Sequence, residues 1–221
     1  NLNLRPIAYT TQIEPHDNMA QLFDAYKRFN SVLLDLNHDF WTYISMGYFK
    51  QKIRPSEVGS STMPHKVNPI DFENSEGNLG LANSLLAHLS QKLLISRLQR
   101  DLSDSTVIRN NGVALGYSFI AYQATAKGLK KLAANVKVIK KDLENRWEIL
   151  AEPIQTVMKR YGIQDSYEAL KELTRGHSSI SRNQIVEYIN DLPIPEGEKR
   201  KLLALTPEKY LGLSEKLAKS I

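Results

Sequence analysis

The chain has 221 residues, 42% of them apolar, which is enough for one large or two small domains and too hydrophobic for a disordered segment. Cysteine is absent, so disulfides and thiolate metal sites are excluded; no apolar run reaches the roughly 18 residues of a membrane span and no signal peptide opens the chain, which fits a reducing cytoplasm. The net charge of +5 admits an anionic partner, but most lysines alternate with glutamates, as in KKDLENRWE (140–148) and EGEKRKLL (196–203). That is the pattern of a solvated helix face, so neither a nucleic-acid surface nor a membrane contact is expected.

Helical periodicity dominates the first half. Met19, Leu22, Tyr26, Phe29, Leu33, Leu36, Phe40 and Tyr43 alternate steps of three and four, and Asp17 is positioned as an N-cap. The spacing predicts a helix over 18–49, roughly 45 Å long, which requires several long partners. Leu79, Ala82, Leu86, Leu89 and Leu93 predict a second helix over 70–98, and Val113, Tyr117, Ile120 and Ala124 a third over 104–135. Ala82, Ala114, Gly116, Ala121 and Ala124 are small enough to let helices approach closely. No strand alternation with turn pairs is evident.

Beyond residue 128 the helices shorten, punctuated by Gly162, Gly176, Pro193 and Pro195. Ser181 with Gln184 forms a capping box, and Thr206-Pro207 reads as an N-cap followed by a first-turn proline. The expected fold is all-α: a long-helix bundle segment over 1–128 and a small helical domain over 129–221. The five histidines, His16, His38, His65, His88 and His177, are too dispersed for a metal site. The chain opens on Asn1 rather than Met, which is expected of a piece of a longer polypeptide.

One run breaks the helical texture. GSSTMPHKVNP, residues 59–69, places two hydroxyls (Ser60, Ser61), an ammonium (Lys66) and a carboxamide (Asn68) between helices, with Pro64 and Pro69 fixing local φ. A connector with helix-capping hydroxyls explains the composition; a loop that closes on a bound anion explains the convergence of those groups. A second run, RDLSDSTVIRN (100–110), reads as a phosphate site. Asp104 or Ser103 can cap a helix whose first turn carries Ser105, and Arg109 falls one turn further on the same face. Alternatively, Arg100 and Arg109 simply pair with Asp101 and Asp104.

The first run resembles the G-S-S-x-M-P-x-K-x-N-P signature of the fumarase/aspartase superfamily, whose members eliminate fumarate from succinyl-bearing substrates. Its M-P-H-K form, together with TTQIEPHD (10–17), RDLSDSTVIRN, AEPIQTVMKRYG (151–162) and LTRG (173–176), is similar to the adenylosuccinate lyase branch, in the second half of its longer bacterial form. The resemblance implies conversion of adenylosuccinate to AMP and fumarate, and of the succinylaminoimidazole carboxamide ribotide to its free carboxamide. It implies no metal and no cofactor, and a homotetramer whose active sites are shared among chains. It also implies Ser60 as general base (with Ser61 the alternative), and Ser61, Lys66 and Asn68 at the succinyl carboxylates. Arg100, Ser105 and Arg109 would then hold the 5′-phosphate, with Gln12 and Asn74 as further substrate contacts. The general-acid histidine would belong to the preceding half of the polypeptide. Another lyase of the superfamily, such as argininosuccinate lyase, and a non-catalytic basic helical module are the competing readings.

Overall fold

In a computed structural model of the chain, the described residues are 6–52, 68–174 and 180–220, with only the backbone described for 172–174. They divide into two compact units, Asn1–Ala134 and Asn135–Ile221. Both are helical; the described strands are two three-residue segments.

The first unit is built on three long helices: α1 (Asp17–Ser45), α2 (Ile70–Lys92) and α4 (Asn111–Lys131), with the short α3 (Ser103–Ile108) between the last two. α2 packs against both α1 and α4. The line Leu79, Ala82, Leu86, Leu89, Leu93, expected from its spacing, is fully buried. Phe23 of α1 and Ala114 of α4 join Ala82, Leu86, Leu89 and Leu93 in one core cluster. The expected seam on α1 divides. Met19, Tyr26, Leu33 and Phe40 are half-buried, whereas Leu22, Phe29, Leu36 and Tyr43 are 37–55% exposed. The line that turns fully inward carries two asparagines, Asn30 and Asn37.

Those asparagines are buried because each finds partners. Asn30 Nδ2 donates to Ser118 Oγ at 3.0 Å, and its Oδ1 accepts from the Tyr122 hydroxyl. Asn37 Nδ2 donates to Ser75 Oγ at 2.9 Å, and Thr125 Oγ1 donates to Asn37 Oδ1 at 2.9 Å. With the threonine proton used, the 2.8 Å contact between Ser75 and Thr125 has the serine as donor. Apart from Lys131 at its end, the buried face of α4 is otherwise made of small residues, Ala114, Ala121 and Gly128, one position off the expected Val113 and Ile120, which are exposed.

The helix ends differ from the sequence expectation for local reasons. His16, not Asp17, is the N-cap of α1; it sits at φ 65° and its N–H donates to Glu14 Oε2, leaving Asp17 inside the first turn, where a carboxylate suits the helix dipole. α2 stops at Lys92, whose ammonium reaches forward to the Ile95 carbonyl. The predicted third helix breaks at Arg109–Asn110, where the Asn110 side chain donates to the carbonyls of Thr106 and Val107 and so competes with the backbone ladder. Strands appear where none was expected: β1 (Phe49–Gln51) pairs antiparallel with β2 (Leu132–Ala134), Phe49 opposite Ala134 and Gln51 opposite Leu132.

The second unit comprises α5 (Val136–Leu143), a 3₁₀ turn (Trp147–Leu150), α6 (Ala151–Arg160), α7 (Ser166–Thr174), α8 (Arg182–Asp191), α9 (Glu196–Leu203) and α10 (Ser214–Ala218). Leu150, Ile154, Met158, Ile185, Ile189 and Leu202 form its core. Gly162, at φ 72°, ends α6 in a Schellman arrangement, with Ile163 N–H bonding Met158 O and Gly162 N–H bonding Lys159 O. The Ser181–Gln184 capping box is formed. Thr206-Pro207 opens a turn rather than a helix; the Thr206 carbonyl accepts the N–H groups of Lys209 and Tyr210.

α2 and α4 approach closely at Gly128, where a Cβ would stand 2.9 Å from Phe72 Cζ. Phe72 is 1% exposed and cannot swing aside. Gly128→Ala is therefore expected to lower the unfolding free energy by roughly 1 kcal/mol or more, the overpacking outweighing the helix preference of alanine. Chemical denaturation of the full-length protein measures this, and Phe72→Leu in the same background should recover part of the loss.

Candidate active-site elements

Ser60, Ser61 and Lys66 lie outside the described residues. The remaining sequence-predicted site residues fall in the first unit, and α2 separates them into two groups.

The first group stands at the N-terminal end of α2. Asn68 is exposed and precedes Pro69, whose carbonyl accepts the N–H groups of Phe72 and Glu73 to start the helix. Asn74, one turn in, is exposed, and its carbonyl and Oδ1 both accept from Asn78 Nδ2, at 2.8 and 3.0 Å. It borders an open cleft of about 400 Å³ between α2 and α4, together with Asp71, Gln123 and Lys127. Asp71 is buried and receives Lys131 Nζ at 2.5 Å and Lys127 Nζ at 3.0 Å. Burial opposes ionisation of Asp71, yet the hydrogen bonds from the two lysines prevail and hold its carboxyl below the ordinary aspartate range.

The second group surrounds α3. The N-cap of this helix is Leu102, not Asp104 or Ser103; one residue earlier, Asp101 Oδ1 accepts the Ser103 N–H at 2.8 Å and also the Ser103 hydroxyl. Lys92, at the end of α2, donates to Ser103 Oγ at 2.8 Å and so ties α3 to that end. The alternative pairing of the arginines is realised only in part. Asp101 pairs with Arg97 at 2.9 Å, and Arg100 Nη2 stands 3.7 Å from Asp104 Oδ2. Arg100 Nε is buried without a hydrogen-bond partner among the described residues. Ser105 Oγ donates to the Leu102 carbonyl at 2.9 Å and retains its acceptor lone pairs. Arg109 is exposed at the C-terminal end of α3. Gln12 is exposed in the irregular segment before α1.

The two groups do not meet. From Asn74 to Lys92 the helix rises about 27 Å, well beyond the reach of a mononucleotide. Sequence reasoning did not single out Lys92, Asp71, Lys127 or Lys131, whose partners lie up to 60 residues away and leave no local signal. Among the described residues no cluster of three or more His, Asp or Glu side chains could hold a metal ion, and no helix is long and apolar enough to cross a membrane.

The helical fold has counterparts among solved structures. Over 89% of its length the chain superposes on 40% of a class II fumarase from Schistosoma mansoni (TM-score 0.65, 21% identity). Over 93% it superposes on 47% of 3-carboxy-cis,cis-muconate lactonizing enzyme from Pseudomonas putida (TM-score 0.65, 19% identity). The adenylosuccinate lyase C-terminal family model matches residues 96–211 and a general lyase model residues 2–82. The chain belongs to the adenylosuccinate lyase family. It is 58% identical to the adenylosuccinate lyase of Escherichia coli K12 over 204 residues, 92% of this chain and 44% of that protein. It is 57% identical to that of Legionella pneumophila strain Corby over 220 residues, 100% of this chain and 48% of that protein. The chain thus spans about half the length of the curated relatives it matches.

Asp101 offers a direct check on the second group. The Ser103 hydroxyl, then its N–H, then Arg97 and Lys92 draw this carboxyl down to about 2. A lowered value means that the ionised form contributes stability above the unfolded-state pKa and loses it as pH falls through the folded one. Carbon-13 titration of the Asp101 carboxyl should give a midpoint near 2, rising toward 3.8 in Ser103→Ala. A midpoint at the ordinary value in the unmodified protein would mean that Ser103 does not hold it.

Proposed function

We propose that the full polypeptide is a lyase that eliminates fumarate from adenylosuccinate to give AMP, and from the succinylaminoimidazole carboxamide ribotide to give its free carboxamide. The observation that carries this reading is the G-S-S-T-M-P-H-K-V-N-P segment leading into α2, in a chain 57–58% identical to relatives named adenylosuccinate lyase. The base takes a proton from the carbon beside a carboxylate and the C–N bond breaks. The acid then returns a proton to the departing nitrogen. Proton removal puts a second negative charge on an ionised group, so the transition state requires a cation and donors already in place. Lys66 supplies the charge and Asn68 a neutral donor two residues on. Ser60 acts as base, its hydroxyl made basic by desolvation beside Lys66, with Ser61 on the same carboxylate. Arg100, Ser105 and Arg109 hold the 5′-phosphate.

The length of α2 supports active sites shared among chains. The signature end of one chain and the phosphate end of another meet on one nucleotide, which a single chain cannot bridge. The exposed apolar edge of α1, Leu22, Phe29, Leu36 and Tyr43, supports a bundle of long helices from several chains, in a homotetramer. The assembly works in the cytoplasm, with no metal, cofactor, nucleic acid or membrane.

In the full-length enzyme, Ser60→Ala should lower kcat by about 10²–10⁴-fold while AMP still binds. Near-normal turnover would transfer the role to Ser61. Arg109→Met should instead weaken AMP inhibition by about tenfold or more, as expected for loss of a charged hydrogen bond. A substrate panel separates the alternatives: cleavage of argininosuccinate with indifference to adenylosuccinate would overturn the assignment. Salt-sensitive binding of DNA or RNA with no lyase turnover would point to a binding module.

A further inference from the structure

α3 is too short to hold itself in place. Its 6 residues fall well below the roughly 12–15 at which an isolated helix becomes even marginally stable, and none of them is fully buried. Val107 and Ile108, at its far end, pack against the core cluster of the first unit. The near end is held by polar contacts that meet at Ser103. Lys92 Nζ, at the end of α2, donates to Ser103 Oγ at 2.8 Å and to the Ile95 carbonyl at 3.0 Å. The Ser103 hydroxyl and N–H both donate to Asp101 Oδ1, the N–H at 2.8 Å. Asp101 in turn pairs with Arg97 through Oδ2 at 2.9 Å, and its N–H donates to Ser96 Oγ at 3.0 Å. The turn between α2 and α3 is thus closed on itself at Asp101 and fastened to α2 through Lys92.

Arg100 and Ser105 are carried by this clamped stretch. Arg100 precedes Asp101, and no close ion pair aims its side chain. Its Nη2 stands 3.7 Å from Asp104 Oδ2, while Arg100 Nε and Asp104 Oδ1 are both buried without a hydrogen-bond partner among the described residues. Its direction therefore follows the backbone at Asp101. A carboxylate beside groups that hold a phosphate is an electrostatic liability, since like charges repel. What offsets that liability is the geometry Asp101 imposes on Ser103. We propose that Lys92 and Asp101 are positioning residues for the phosphate end of the site: acting together through Ser103, they fix the first turn of α3, and with it Arg100 and Ser105, toward the nucleotide 5′-phosphate. This inference rests on the phosphate reading above. Because Asp101 also holds Arg97 and Lys92 also holds the Ile95 carbonyl, removing either one loosens the clamp without leaving the other alone.

The experiment measures dissociation constants for AMP and for adenosine by calorimetric titration of the full-length enzyme and of Lys92→Met, Lys92→Arg, Asp101→Ala and Asp101→Asn. Lys92 and Asp101 are half-buried, so each variant should melt close to the unmodified enzyme. Lys92→Met and Asp101→Ala should each weaken AMP by about tenfold, the scale of one charged hydrogen bond lost from an anion, while adenosine stays within about twofold. Lys92→Arg, which keeps the charge, and Asp101→Asn, which keeps an acceptor for Ser103, should recover part of the loss. Asp101→Ala is the sharper arm. Loss of a negative charge beside a phosphate would by itself tighten AMP binding, so tightening, or no change, would overturn the inference. Equal weakening of adenosine would reveal a general structural role and would overturn it too. Should a charge-removing variant fail to fold, Ser103→Ala removes the shared hydroxyl and no charge, and decides by the same comparison. In the unmodified enzyme, AMP binding no tighter than adenosine would overturn the phosphate reading and the inference with it. AMP tighter than adenosine, with every variant unaltered, would overturn the inference alone.

Discussion

Asn37 of α1, Ser75 of α2 and Thr125 of α4 close a ring of three hydrogen bonds, and the register of the helical unit follows from it. Sliding any one helix by a residue would break two of the three bonds and strand buried polar groups at about 1–3 kcal/mol each. The surrounding apolar contacts would resist such a slip less firmly. Ala114, Ala121 and Gly128 present a smooth face to α2, and small side chains interlock less than branched ones. The ring therefore sets how far along α2 the end of α4 falls. That in turn brings Lys131 opposite Asp71 and Gly128 opposite Phe72.

Once register is fixed, the length of α2 becomes a ruler. Asn68 and Asn74 lie at one end, and Lys92 carries Ser103, and with it α3, at the other. Each group is internally organised. Asp101 ties down the start of α3 and Arg100 keeps an unpaired Nε, while the start of α2 is held by Asp71 against two lysines. If the two groups are the half-sites proposed above, a rigid rod that holds them at opposite ends makes the chemistry depend on association.

Much of the fold was legible in the sequence where one pattern had one physical meaning. The Leu79–Leu93 line repeats at helical spacing and is buried throughout, and the Ser181–Gln184 box is local chemistry that forms as written. Less was legible where burial was decided by partners. Along α1, hydrophobicity marked a seam centred between two edges, but the inward line runs through Asn30 and Asn37, which read as surface residues until Ser118, Tyr122, Ser75 and Thr125 supply their bonds. The β1–β2 pair escaped notice because three residues cannot show alternation. For the candidate site, residue types and spacing suggested both groups but not their separation, because spacing along the chain says nothing of how far apart α2 holds its ends. The buried charges behind them were invisible for the same reason: Asp71 and Lys131 each look like any other charge on a helix.

The outward edge of α1, Leu22 through Tyr43, carries a consequence for how the molecule behaves on dilution. In the proposed assembly the same apolar area completes the fold of one chain and joins it to the next. Mass action would then enter the folding equilibrium, and the stability of the chain would depend on its concentration. Thermal midpoints measured at nanomolar and micromolar protein would accordingly report different quantities.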